Sequence, residues 1–318
     1  MTSATIFLPT ALAGLALAAA AVFFARRAGA AAAASAPEPK APGRPPPQPA
    51  AADDFAPGYR IIRLIDQGGM GTVYEAEDLT LGRRVAVKRM RPELSRDGQD
   101  KELFLREARI VAALHHPNIV DIHTVGHGQG ELYLVFEYVA GVTLQEVIRD
   151  RRRLDPDVTR RIIRQVGAAL AYAHGQKILH CDLKPSNIMI TLDSRVKVMD
   201  FGIARQARET LSRLTPGTAF GTLAYMSPEQ HLGREKRQTD LYALGVTIYE
   251  MLTGRIPFAG AEMLLLKEHA RFAPLSRVVP GLPPAADAFM TKALAPQPEA
   301  RFQTADELCA ALERVFPS

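Results

Sequence analysis

Between Tyr59 and Val139 the chain offers five strand-like runs in close succession, and after Leu144 its apolar residues fall almost wholly at helical spacing. The runs are "YRIIRLID", "TVYEAED", "RRVAVKRM", "NIVDIHTVG" and "ELYLVFEYV", with only "DKELFLREARIVAALHH" at helical period among them. Strands segregated from helices in this way predict an α+β architecture, a small β-rich lobe set on a larger helical one. Within the helical part, "DPDVTRRIIRQVGAALAYAH" opens with Asp155 as N-cap and Pro156 at the first helical position. "TDLYALGVTIYEMLTG" is apolar on nearly every face, which predicts a buried helix ending at Gly254. "TADELCAALERVF" begins with a Thr304-to-Glu307 capping box.

Two other regions precede this part. Thr5 to Ala25 is uncharged, and about 21 residues at 1.5 Å rise span the roughly 30 Å of a bilayer core. Its large apolar residues contribute roughly −3 to −5 kcal/mol to insertion. Arg26 and Arg27 follow and no Lys or Arg comes before, so the positive-inside rule orients the remainder of the chain toward the cytoplasm. A cleaved signal peptide would need a basic start and a small-residue cleavage site where the two arginines stand. Residues 1–27 therefore read as a single-pass anchor in the cell (inner) membrane. Gly14 and Ala18 form a small-xxx-small pair through which two such helices could pack as a homodimer. Residues 28–57 are rich in Ala and Pro, lack the large apolar side chains a core needs, and read as a disordered tether. Residues 58–318 remain as the folded domain. The net charge of +5 is small and spread along the chain, with no basic stripe interleaved with aromatics, which argues against nucleic acid. Two cysteines, Cys181 and Cys309, make no disulfide framework.

The residues that suggest chemistry come in order along the domain. "IDQGGMGTVYEA" places Gly68, Gly69 and Gly71 in a turn between strands, where backbone can approach phosphates closely. Alone, a glycine-rich hairpin is common. Lys88 in "VAVK" stands mid-strand among valines and needs a charged partner if buried; Glu107 on the next helix is a candidate. "HCDLKPSN" supplies Asp182 to accept a hydroxyl proton, Lys184 to neutralise charge on a moving phosphoryl group, and Asn187 as an oxygen ligand for a divalent cation. Asp200 in "VMDFG" adds a second oxygen ligand, and two such ligands suit Mg²⁺ completed by phosphates and water.

With "GGMG", "HHPNIV", "DLKPSN" and "YMSPEQ" in this order, the chain resembles the eukaryotic-type (Hanks-type) Ser/Thr protein kinases of bacteria, from about Tyr59 to Val315. The resemblance implies the bilobal protein kinase fold and transfer of the ATP γ-phosphoryl group to Ser/Thr hydroxyls of protein substrates, with ATP and Mg²⁺, or Mn²⁺ in its place. It implies that Lys88 binds the α- and β-phosphates and pairs with Glu107. It places Ile65, Val73, Ala86 and Met189 around the nucleotide, and the backbone of Glu137 and Val139 at the adenine edge, with Phe136 as gatekeeper. Asp182 becomes the catalytic base, Lys184 a phosphate contact, Asn187 and Asp200 the metal ligands, and Thr222 the residue orienting Asp182 and Lys184. Glu229 should pair with Arg301. Val111, Ile122, His180 and Phe201 should stack into a column joining the lobes, anchored by Asp240.

Two positions depart from the family pattern. Asp66 replaces the first glycine of the phosphate loop, which predicts weaker ATP affinity with activity kept. Cys181 stands where an arginine would pair with a phosphorylated activation segment, and a thiol cannot make that charge-assisted pair. This predicts a working catalytic loop with a weakened switch, Cys181 acting as a small packing residue. Thr210, Ser212, Thr215 and Thr218 stay as expected autophosphorylation sites, beside Arg205, Arg208 and Arg213. A pseudokinase scaffold would lack Lys88, Asp182 or Asp200, and all three are present.

Overall fold

The structure is a computed structural model that describes residues 55–68, 71–92, 98–201 and 223–317. The apolar segment Thr5–Ala25 lies outside the described residues. Among the described residues no helix is long and apolar enough to cross a membrane.

The expected strand runs form one antiparallel sheet of five strands. These are β1 (Tyr59–Gly68), β2 (Gly71–Asp78), β3 (Arg83–Met90), β4 (Ile122–Gly128) and β5 (Glu131–Glu137), in the order β1-β2-β3-β5-β4. Side chains alternate across a strand, so each strand serves both faces. Val85, Val87, Tyr133 and Val135 pack on one face, in a small cluster of their own. Met90, Leu132, Leu134 and Phe136 enter the main core on the other, with Ala86 packed against it. Lys88 shares the parity of Ala86 and Met90 and therefore looks into the interior between the lobes; it is 7% exposed. Helix α1 (Gly98–Ala112) covers part of this inner face with Phe104, Ala108 and Val111, which recur at i, i+4 and i+7.

The tether differs from expectation at its end. Phe55 and Ala56 are 2% and 3% exposed and complete the outer cluster, with the Phe55 ring 5.6 Å from Tyr74 and 6.3 Å from Tyr133. The packed fold thus reaches back at least to Phe55, because a large aromatic side chain is worth burying wherever a sheet face is open to it.

The helical lobe follows. Helix α2 (Leu144–Arg151) starts with a full capping box between Thr143 and Glu146. Helix α3 (Pro156–Gly175) has Asp155 and Pro156 where the sequence predicts them, although the Asp155 side chain caps nothing. A second sheet of β6 (Gly141–Thr143), β7 (Ile188–Thr191) and β8 (Val196–Val198) underlies the space between the lobes. A parallel bridge from Ile119 to Val198 ties β8 to the segment leading into β4. Helix α4 (Arg237–Thr253) is buried from Thr239 to Leu252, as its all-round apolarity predicts, and stops at Gly254, whose φ of +73° is left-handed. Helices α5 (Met263–Glu268), α6 (Leu275–Val278), α7 (Ala285–Ala293) and α8 (Ala305–Val315) close the lobe. At α8 only half of the expected box forms: Thr304 accepts from the Glu307 amide, while the Glu307 carboxylate turns to the Gln303 amide and to Lys292.

Candidate active site

The loop after α3 is held from below by one carboxylate. Asp240, in the first turn of α4 and 1% exposed, accepts the Cys181 amide at Oδ1 (2.8 Å). Its Oδ2 accepts the His180 amide (2.9 Å) and lies 2.7 Å from His174 Nε2. Burial alone would raise the pKa of this carboxyl; the contacts to His174 and His180 outweigh it and hold the group below the usual carboxylate range. His180 is fully buried, its ring 4.6 Å from Phe201 and its Nε2 3.0 Å from the Met199 carbonyl. Val111, Ile122 and Phe201 belong to the same core, as the expected column requires.

Above this base the polar groups converge. Lys184 Nζ donates to Asp182 Oδ2 at 2.9 Å. Asn187 Nδ2 donates to the same oxygen (3.2 Å) and to the Asp182 carbonyl (2.8 Å). The Asn187 amide is thereby oriented through its nitrogen, and its oxygen is turned away from Asp182. From the opposite lobe, Lys88 donates to both oxygens of Asp200 at 2.9 Å. Burial pushes the Asp200 carboxyl upward in pKa, yet the charge and hydrogen bonds of Lys88, with His180 and Lys184, bring it below its ordinary value. It is a carboxylate at neutral pH. Asp200 also has a φ of +63°, a left-handed backbone that Asp tolerates better than most residues and that marks functional turns. A carboxylate on one side and an oriented amide oxygen on the other are hard oxygen donors. They fit Mg²⁺, which takes few protein ligands and completes its octahedron with phosphates and water.

The protein kinase domain family matches residues 59–312. This chain belongs to that family. It is 39% identical over 262 residues to the serine/threonine-protein kinase PrkC of Bacillus subtilis, covering 81% of this chain and 40% of that protein. The kinase domain of Mycobacterium tuberculosis PknI superposes with a TM-score of 0.67 at 28% identity, covering 82% of this chain and 97% of that one. Rad53 residues 1–466 in complex with AMP-PNP superposes with a TM-score of 0.66 at 28% identity, over 79% of this chain and 64% of that one. The chain spans about two fifths of the length of the curated relatives it matches. Protein kinase domains use ATP and Mg²⁺.

The other expected site residues of the kinase domain take up the following places. Val73 pairs with Lys88 across β2 and β3, and Ala86 with Phe136 across β3 and β5, so the three proposed roof and gatekeeper residues surround the lysine. Ile65, on β1, is 43% exposed. Val139 packs against the core, and Met189 lies half-buried in β7. The Glu137 amide donates to the Asp121 carbonyl (2.9 Å). Glu107 sits half-buried on α1, beside inward-facing Ala108. Gly68 and Gly71 pair at the β1–β2 turn; a Cβ on Gly71, at φ +155°, would lie 2.1 Å from the Arg89 carbonyl oxygen. Gly69 and Thr222, and the hydroxyls and arginines from Arg205 to Thr218, lie outside the described residues.

Asp66 is exposed in β1 and accepts from its neighbour's amide, Gln67, at 2.8 Å. Cys181 is 5% exposed with φ +60°, and it is its main chain that is fixed: N–H to Asp240, carbonyl from Gln230 Nε2 (2.7 Å). A buried thiol is consistent with a packing role. Glu229 and Arg301 form a bidentate pair at 2.7 and 2.8 Å, with the Arg301 side chain wholly buried. Sequence reasoning missed His174 and Gln230. His174 had a usable signal, a lone imidazole ending an amphipathic helix one residue past buried Ala173.

Proposed function

We propose that this chain is a membrane-anchored serine/threonine protein kinase that moves the ATP γ-phosphoryl group to protein hydroxyls. The observation that carries the reading is the Lys88–Asp200 pair, which joins the two lobes immediately above Asp182, Lys184 and Asn187. Lys88 binds the phosphate tail and keeps Asp200 ionised and oriented. Asp182 takes the proton of the substrate hydroxyl as the new O–P bond forms and the bond to ADP breaks. Lys184, 2.9 Å from Asp182, is placed to neutralise charge on the transferring group. Mg²⁺ held by Asn187 and Asp200 would supply further charge neutralisation at the phosphate oxygens. Transfer of this kind depends on positioning and electrostatics, and Asp182 is oriented here by both Lys184 and Asn187.

In the same reading, residues 1–27 anchor the protein, the segment from residue 28 to the packed Phe55 tethers it, and the domain from Phe55 onward catalyses on the cytoplasmic side, where ATP is. Tethering two chains in one membrane raises their mutual concentration and favours autophosphorylation in trans. The test is labelling of protein from radioactive ATP with magnesium, by wild type and by Lys88→Met. Wild type should label a protein acceptor and itself, and the variant should fall by at least a hundredfold while still melting cooperatively. A folded wild type that labels nothing refutes the proposal.

A further inference from the structure

Lys267, on α5, is one of the most deeply buried side chains in the molecule, at 1% exposure. Among the described residues no carboxylate pairs with it. Its ammonium donates instead to two backbone carbonyls, those of Leu223 and Met226 (2.7 Å). Burial pulls its pKa down to about 8. An ammonium desolvated without a counter-charge is costly, and here it is retained under the segment Leu223–Met226. That segment is fixed again on each side. The Tyr225 hydroxyl donates to Glu250 on α4, and Glu229, three residues past Met226, is locked to Arg301. Tyr225 and Met226 wall a small cavity whose other side is Cys181, Asp182 and Leu183. The segment that Lys267 holds therefore lies beside the proposed catalytic base.

We propose that Lys267 is a positioning residue for the acceptor peptide: by tying down Leu223 and Met226 it sets the height of the wall beside Asp182, and so the presentation of the hydroxyl. The inference rests on the kinase reading above. Lys267 touches no part of the nucleotide site, so its removal acts on the protein substrate and spares ATP.

The experiment uses the full chain as wild type, as Lys267→Met, which keeps the bulk and removes the donors, and as Lys267→Gln, which keeps a donor. KM for dephosphorylated casein, KM for ATP and kcat are measured, with amide hydrogen exchange of residues 223–227. In Lys267→Met the casein KM rises about tenfold, KM for ATP stays within twofold, and the 223–227 amides exchange at least tenfold faster. Lys267→Gln recovers part of both effects. An unchanged casein KM, or equal rises in both KM values, overturns the proposal. So does failure of both variants to fold, which would make Lys267 a residue of stability alone. A wild type that phosphorylates nothing refutes the kinase reading instead, and the exchange of residues 223–227 then still decides whether Lys267 holds the segment.

Discussion

Replacing Asp240 by asparagine tests how the catalytic loop is held. The carboxylate serves three donors: the Cys181 amide at one oxygen, and the His180 amide and His174 Nε2 at the other. An asparagine has one oxygen and one NH₂ in the same plane. With its oxygen toward His180 and His174, the Cys181 N–H faces another donor; flipped, two donors lose their acceptor. At about 1–3 kcal/mol for each buried donor left without a partner, the loss is roughly 2–5 kcal/mol. The pH dependence gives a second handle. The folded-state pKa of Asp240 is depressed, so its stabilisation is present above the ordinary carboxylate range and lost as pH falls through the lower folded value. Urea unfolding at pH 7 should therefore show Asp240→Asn less stable by that amount, with the gap to wild type narrowing toward pH 3. Phosphotransfer should fall as well, since Asp182 follows the two amides that are freed. A variant within about 0.5 kcal/mol of wild type at pH 7 would refute the claim that this carboxylate organises the loop.

Two other substitutions probe different supports. Glu229→Gln leaves the buried Arg301 guanidinium short of its counter-charge and should cost about 3–5 kcal/mol, read as a lowered melting temperature; burial raises the Glu229 pKa but Arg301 more than offsets it, so the variant should also lose sensitivity to acid. Gly71→Ala must push β3 away from β2 to clear the Arg89 carbonyl, and should weaken AMP-PNP binding at least tenfold by calorimetry; unchanged affinity would mean the turn yields without cost.

Much of the fold was legible because its signals are local. Strand alternation in "RRVAVKRM" put Lys88 on the face opposite the valines; its burial follows because the second lobe covers that face as well. The apolar belt of "TDLYALGVTIYEMLTG" required a buried helix. The cluster of Asp182, Lys184 and Asn187 was legible from spacing, since six consecutive residues of one loop cannot lie far apart. What escaped depends on contacts across the chain. Gln230 reaches the Cys181 carbonyl from 49 residues away, and a glutamine carries no sequence signal of such a partner. Nothing in "LLLKEH" marks Lys267 as interior; only tertiary packing buries it. Thr304 and Glu307 fit a capping box, but Lys292, from a neighbouring helix, competes for the glutamate at 2.7 Å.

Phe55 changes what the N-terminal segment is mechanically. A leash that ended in solvent would transmit nothing but distance. This one ends as a wedge under β3 and β5, with the Arg89 guanidinium 5.0 Å above its ring. Val87, beneath the wedge, and Lys88, above the nucleotide cleft, are joined by a single peptide unit. On the proposed reading, tension or torque arriving from upstream would act on the back of the strand whose front carries Lys88.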